Sequence, residues 1–233
     1  MSVPPFRIQY VSNLFISRLN KMSQPIEFKP NAPILALLGN IGQPQCKKTA
    51  TFLKWADKNY EQVFWIPGPL EYSLNSSLNW RQTADLCYSS IKDWNLKHTT
   101  FCQKFETPIQ TYNINLIATP GWHLTFGKQE NLNIFDWNYL GKNIPMEPKH
   151  FVLLQHNELD WILKKSDHSP YRNILLTHSP IPTDLLRNKN IACHLYGTEY
   201  VDKKSYSGGS DPWCGLNMAN ALGYKKDAFI ELV

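Results

Sequence analysis

The sequence predicts a mixed α/β domain. Three observations lead there. Short apolar runs bounded by turn residues recur along the chain, segments of helical period are interleaved with them, and the length of 233 residues is one that a single core can serve. One domain over 1–233 is therefore expected, with a sizeable buried interior. Hydrophobic content of 42% against 18% charged residues excludes a disordered chain.

The elements follow in order. FRIQYV, 6–11, alternates, with Phe6, Ile8 and Tyr10 on one face, and predicts a first strand ending at Ser12-Asn13. PILALL, 33–38, predicts a buried strand that breaks into Gly39-Asn40-Ile41-Gly42. In CKKTATFLKWADKNY, Ala50, Phe52, Leu53, Trp55 and Ala56 fall at helical spacing. QVFWIP, 62–67, is a strand stopped by Pro67-Gly68-Pro69. A helix over 79–93 carries Trp80, Ala84, Cys87 and Ile91 on its apolar stripe. TTFCQKF, IQTYNI and NLIATPG predict short strands whose alternation suggests antiparallel pairing. Residues 125–147, polar and aromatic, predict a long ordered loop. A helix over 149–166 places Val152, His156, Leu159 and Leu163 on one stripe. NILLTHSPIP, IACHLYGTEY and the final AFIELV predict three more strands.

Bulk chemistry narrows the function. A net charge of +5 is mildly basic, but Lys and Arg are scattered in short pairs and form no arm of nucleic-acid-binding density. Nucleic acid is not the expected partner. The five cysteines (Cys46, Cys87, Cys102, Cys193 and Cys214) are odd in number, widely spaced and without a C-x-x-C pair. That pattern argues against a zinc ribbon or a disulfide framework and for reduced thiols in the cytoplasm. The N-terminus has no signal-peptide pattern, so secretion is not expected. No run approaches the ~18 apolar residues of a membrane span.

Five strands end in polar loops: VSNLF at 11–15, LLGNIG at 37–42, PGPLEY at 67–72, LLTHSP at 175–180 and LYGTEY at 195–200. In that order and spacing they resemble the signature blocks of the calcineurin-like metallophosphoesterases, which carry Asp-x-His, Gly-Asp, Gly-Asn-His-Glu, a Thr-His block and Gly-His-x-His. NALGY at 220–224 is similar to a further block near the end of many members. The resemblance implies a two-sheet β-sandwich flanked by helices, two divalent metals at the strand ends, and hydrolysis of phosphate esters. In such a centre a carboxylate bridges the dications, imidazoles complete the coordination, and a bridging water becomes the nucleophile.

Carried over position by position, the resemblance fails on charge. Asn13 and Phe15 stand at the Asp and His of the first block, and Asn40 at the bridging Asp. Pro69 stands at the metal-binding Asn, Leu70 at the His expected to protonate the leaving group, and Glu71 remains. Thr177-His178 is kept, while Thr198 and Tyr200 replace the last two His. Two double charges ~4 Å apart repel by several kcal/mol even at water's dielectric. With no carboxylate between them a dinuclear centre is not expected. Asn13, Phe15, Asn40, Pro69, His178, Thr198 and Tyr200 are thus read as vestigial ligand positions, with no catalytic, metal or cofactor residue.

Other candidates have plainer readings beside the functional ones. Glu71 and Glu199 are a relocated carboxylate pair or, as favoured, solvated loop charges. His178 is a surviving ligand or a hydrogen-bonded loop residue, and His123 could approach from the long loop. Cys193-His194 could pair as nucleophile and base, but neighbours in a strand face opposite sides. Phe126, Phe135, Trp137 and Tyr139 are a contact surface or an insertion packed on the domain. The reading is a pseudo-phosphoesterase reused as a structural or protein-binding component. A divergent phosphoesterase using His178, Glu199, Glu71, His194 or His123 is the alternative. The degenerate match, with Asn-, Lys- and Ile-rich usage, suggests a large DNA virus as source and a cytoplasmic or virion-associated setting.

Overall fold

Apolar strands that are buried on both faces need a layer above and a layer below, and the chain supplies both. The computed structural model describes residues 5–18, 29–72, 78–122, 147–186, 190–197, 216–219 and 229–232. They form two five-stranded sheets. The first has the order β10 (Phe229–Leu232), β1 (Phe6–Val11), β2 (Ile34–Leu38), β3 (Gln62–Ile66), β4 (Thr99–Phe101). The second runs β5 (Phe105–Ile109), β6 (Ile114–Thr119), β7 (Arg172–Thr177), β8 (Ile191–Tyr196), β9 (Leu216–Ala219). β1 to β4 are parallel and β10 joins β1 antiparallel. β6 to β9 are parallel and β5 joins β6 antiparallel.

The alternation of side chains sorts residues into layers. Phe6, Ile8, Ala36, Leu38, Phe64 and Ile66 of the first sheet meet Leu116, Ala118, Ile174, Leu176, Cys193 and Leu195 of the second in the sandwich core. The outer face of the first sheet, with Leu35, Leu37, Val63 and Trp65, is covered by Phe52, Leu53 and Ala56 of α1 (Lys47–Asn59) and by Ala84 and Cys87 of α3 (Trp80–Asp93). On the second sheet's outer face, Ile117 and Leu175 pack on Ile162 of α4 (Pro148–His168) and Leu186 of α5 (Thr183–Leu186). Sheets covered on both faces read as continuous apolar runs, which is why ILALL of β2 is buried throughout. Gln9 is the polar residue under α1, and it is fully satisfied there: its Oε1 accepts from Tyr60 OH at 2.8 Å and Asn31 N at 2.9 Å, and its Nε2 donates to Lys29 O at 3.2 Å.

Several expectations need correction. β4 is not part of an antiparallel set; it pairs parallel with β3 in the first sheet. IQTYNI is not a strand but the end of β5 followed by a 3-10 turn over Gln110–Tyr112. PGPLEY contains a short helix, α2 (Pro69–Tyr72), where a loop was expected. The inward stripe of α4 is Phe151, Leu154, Glu158, Ile162 and Ser166, all buried, not the stripe through Val152 and His156. A glutamate on that stripe disguised it. β9 was not foreseen. No helix among the described residues is long and apolar enough to cross a membrane.

Candidate functional site

Parallel strands place their carboxyl ends together, and in open α/β sheets ligands sit at such ends. Here the loops after β1, β2, β3, β7 and β8 converge at one end of the sandwich. The loops after β1 and β2 continue side by side: Asn13 N donates to Gly39 O at 3.0 Å, Phe15 N to Asn40 O at 2.9 Å and Ile16 N to Ile41 O at 2.8 Å. Asn13, Phe15 and Asn40 all hold positive φ, at 54°, 48° and 54°. Asparagine visits that region readily; phenylalanine does so at a cost of about 1–3 kcal/mol. Gly39 is required: at φ 81°, a Cβ there would lie 2.3 Å from His178 Nδ1. Gly197 is required more strictly, since a Cβ would lie 1.9 Å from Leu38 O.

The side chains then lock onto one another. Asn40 Nδ2 donates to Asn13 Oδ1 at 2.9 Å, and Asn40 Oδ1 accepts from Leu70 N at 2.9 Å. Asn13 Nδ2 donates to Gly197 O at 2.6 Å, where Ser12 Oγ also donates at 2.8 Å. The amides therefore link β1, β2, β3 and β8. Leu70 is buried, whereas Phe15 is only half-buried, so hydrocarbon fills one of the two expected positions. Pro69 opens α2 and offers no side-chain donor or acceptor.

Glu71 is not the solvated loop charge expected from the sequence. It is fully buried, and four backbone N–H groups converge on it. Oε1 accepts from Ile41 N at 2.7 Å and Gly42 N at 3.0 Å; Oε2 accepts from Asn40 N at 3.0 Å and Gly68 N at 2.7 Å. Burial pushes its pKa up and the amides push it down. Four donors occupy the four lone-pair positions of an ionised carboxylate and leave no room for a proton. Glu71 thus fastens the β2 loop to the β3 loop.

His178 is fully buried, with Nδ1 2.8 Å from Leu38 O, and burial holds its pKa down at about 4. A carbonyl only accepts, so Nδ1 carries the proton. Beside it, Thr177 Oγ1 donates to Ser179 O at 2.6 Å and accepts from His194 Nε2 at 2.8 Å. Burial lowers the pKa of His194 to about 3. Cys193 faces the opposite way, into the sandwich core, and burial raises its thiol to about 12. The two do not form a nucleophile–base pair. Cys46, Cys87, Cys102 and Cys193 are free thiols.

A second buried carboxyl was missed in the sequence. Glu158 of α4 contacts Thr119 Oγ1 through Oε1, and its Oε2 accepts from Trp122 N at 2.8 Å. Burial raises its pKa to about 7. The signal was present: Glu158 lies at helical spacing between Leu154 and Ile162. Thr198, Glu199, Tyr200, His123 and the aromatic stretch through Tyr139 lie outside the described residues. Among the described residues, no three His, Cys, Asp or Glu side chains form a group able to hold a metal ion.

Two sheets in this order, helices on their outer faces and a site at the shared strand ends define a phosphoesterase-type fold. Phosphopantetheinyl hydrolase from Mycobacterium tuberculosis shares it, with a TM-score of 0.63 over 97% of this chain and 92% of that one. At 13% identity that likeness shows the fold alone. An uncharacterized protein of Acanthamoeba polyphaga mimivirus is 28% identical over 167 residues, which cover 64% of this chain. The match takes in 56% of that protein's length. No family model matches the chain.

Proposed function

We propose that this chain is a phosphoesterase-type fold whose catalytic site has been converted into an internal fastening, and that it works as a structural or protein-binding component. The observation that carries this reading is the Asn40–Asn13 hydrogen bond at 2.9 Å. By the resemblance these residues stand where carboxylates would hold two dications. Here Asn13 Oδ1 is taken by an amide, Asn40 Oδ1 by Leu70 N, and both Nδ2 groups point their hydrogens into the cluster. Pro69 contributes nothing, and the carboxylate that remains, Glu71, is consumed by backbone amides. That donor set does not fit a dinuclear metal centre, which needs anionic or imidazole ligands with lone pairs to spare.

The aromatic residues between Phe126 and Tyr139 in the sequence support a role in contact with another protein. The mimivirus relative supports a viral setting for it.

The test is metal content by mass spectrometry after soaking the purified chain in manganese and zinc and desalting. The reading expects close to none, with no hydrolysis of a chromogenic phosphodiester. Near two metals per chain with turnover would overturn it and point to a site rebuilt from Glu199, His178 or His123.

A further inference from the structure

Away from the strand-end fastening, α3 and α4 part to leave a cleft of about 560 Å³. That volume lies within the range of small-molecule sites. Its walls carry Trp80 and Tyr88 from α3, its floor Trp122 and Glu158, and its mouth Arg81 and Lys104. None of these residues belongs to the Asn13–Asn40 cluster.

The charge of the floor follows from counting protons. Thr119 Oγ1 sits 2.9 Å from the carbonyl oxygen of Gln103 and also contacts Glu158 Oε1. A hydroxyl has one hydrogen, and the Gln103 carbonyl can only accept. If Thr119 gives that hydrogen to Gln103, then Glu158 must donate to Thr119. A neutral carboxylic acid matches its surroundings: the hydroxyl donates to Thr119, and the carbonyl oxygen accepts from Trp122 N at 2.8 Å. Burial, which raises the pKa of this group to about 7, agrees with the count. The opposite assignment sets two lone-pair-bearing oxygens against each other in a buried place, which is costly.

With Glu158 neutral, the lining holds two cations, Arg81 and Lys104, against one anion, Asp85. Arg81, Lys104 and Tyr88 lie on the exposed side, Trp80 is half-buried and Trp122 lies deepest. Arg81 already rests over the Trp80 ring at 5.1 Å, and Lys104 Nζ donates to Asn157 O at 3.1 Å, so both are held at the mouth. We infer that the cleft between α3 and α4 binds a small planar aromatic ring that bears one anionic group. The ring stacks among Trp80, Tyr88 and Trp122, and the anionic group meets Arg81 and Lys104. A nucleoside monophosphate and an aromatic carboxylate share this chemistry.

Calorimetric titration of the full chain separates the parts. The probes are AMP and indole-3-carboxylate, with adenosine as ring without anion, ribose 5-phosphate as anion without ring, and tryptamine as ring with a cation. The expected result is that AMP or indole-3-carboxylate binds, and that the probe lacking its ring or its anion binds at least about tenfold more weakly. Which of the two binds tells a phosphate from a carboxylate. Trp80→Ala and Lys104→Glu should each weaken binding by about tenfold. Lys104 is exposed, so its variant keeps the fold and tests the idea even where Trp80→Ala unfolds. No binding of either anionic arene at millimolar concentration, binding unchanged by Lys104→Glu, or tighter binding of tryptamine would each overturn the proposal.

Discussion

The side-chain amide of Asn40 donates to Asn13 Oδ1 at 2.9 Å, and through that contact the ends of β1 and β2 are joined by side chains as well as by backbone. An aspartate at 40 could not complete the pair, because two acceptors would face each other; an aspartate at 13 would still accept from Asn40 but would set an oxygen against Gly197 O. Asn40→Asp is therefore expected to destabilise the fold by about 2–4 kcal/mol at neutral pH, since it removes a donor and adds an uncompensated buried charge. Urea unfolding measures the loss. A variant as stable as the parent would mean that the amide pair holds nothing together.

The two buried glutamates should answer the same substitution in opposite ways. Glu71→Gln puts an amide NH2 against two of the four backbone N–H groups, leaving them unpaired, at a cost of about 3–5 kcal/mol. Glu158→Gln replaces a neutral acid by an amide that can still donate to Thr119 and accept from Trp122, and should cost under about 1 kcal/mol. Comparable losses in the two variants would refute the assignment of one as ionised and the other as protonated.

Infrared spectroscopy can see that proton directly. Below neutral pH the parent should show the carbonyl stretch of a protonated carboxylic acid that Glu158→Gln lacks. The band should fade with a midpoint near the pKa of about 7. Its absence at pH 5 would contradict the proton count.

Stability should rise with pH on the acid side. His178 and His194 have folded pKa values depressed from 6.5 to about 4 and about 3, so their contribution is present above 6.5 and is lost as pH falls. Glu158 is raised from 4.5 to about 7, so its contribution is present below 4.5 and is lost as pH rises through about 7. Between these limits the unfolded chain holds two imidazole protons and the folded chain holds the one on Glu158. The difference of one proton gives a slope of about 1.4 kcal/mol per pH unit. In Glu158→Gln the difference becomes two protons and the slope about doubles. Denaturant midpoints from pH 5 to 6, below the point where the unfolded imidazoles lose their protons, test both statements; a flat profile in the parent there would count against them.

Much of the scaffold was legible because periodicity reports burial. β1, β2, β3, β7 and β8, and the helices α1 and α3, lie close to where alternation and helical spacing put them. α3 even announces its start, as Asn79 and Gln82 cap each other through Asn79 Oδ1 to Gln82 N at 2.9 Å and Gln82 Oε1 to Asn79 N at 3.0 Å. The partnering of β4 was not legible, since three residues cannot say which sheet they join. The site was half legible. Residue types located the loops, but Glu71 and Glu158 were hidden because a glutamate reads as surface until its donors are known. Those partners are backbone amides and a threonine hydroxyl brought from distant strands, which no local pattern records.

The backbone contact between Gly197 and Leu38 has a mechanical consequence. Gly197 N donates to His178 O at 3.0 Å, and its α-carbon rests against the Leu38 carbonyl, so the two sheets touch main chain to main chain at this end. Sheets separated by side chains can slide a little as those side chains change rotamer; sheets in direct contact cannot. The strand-end loops therefore act as the fixed end of the sandwich, and any shear between its layers must grow toward the opposite end. Amide hydrogens there should exchange with solvent sooner than those of β2 and β8 near the contact.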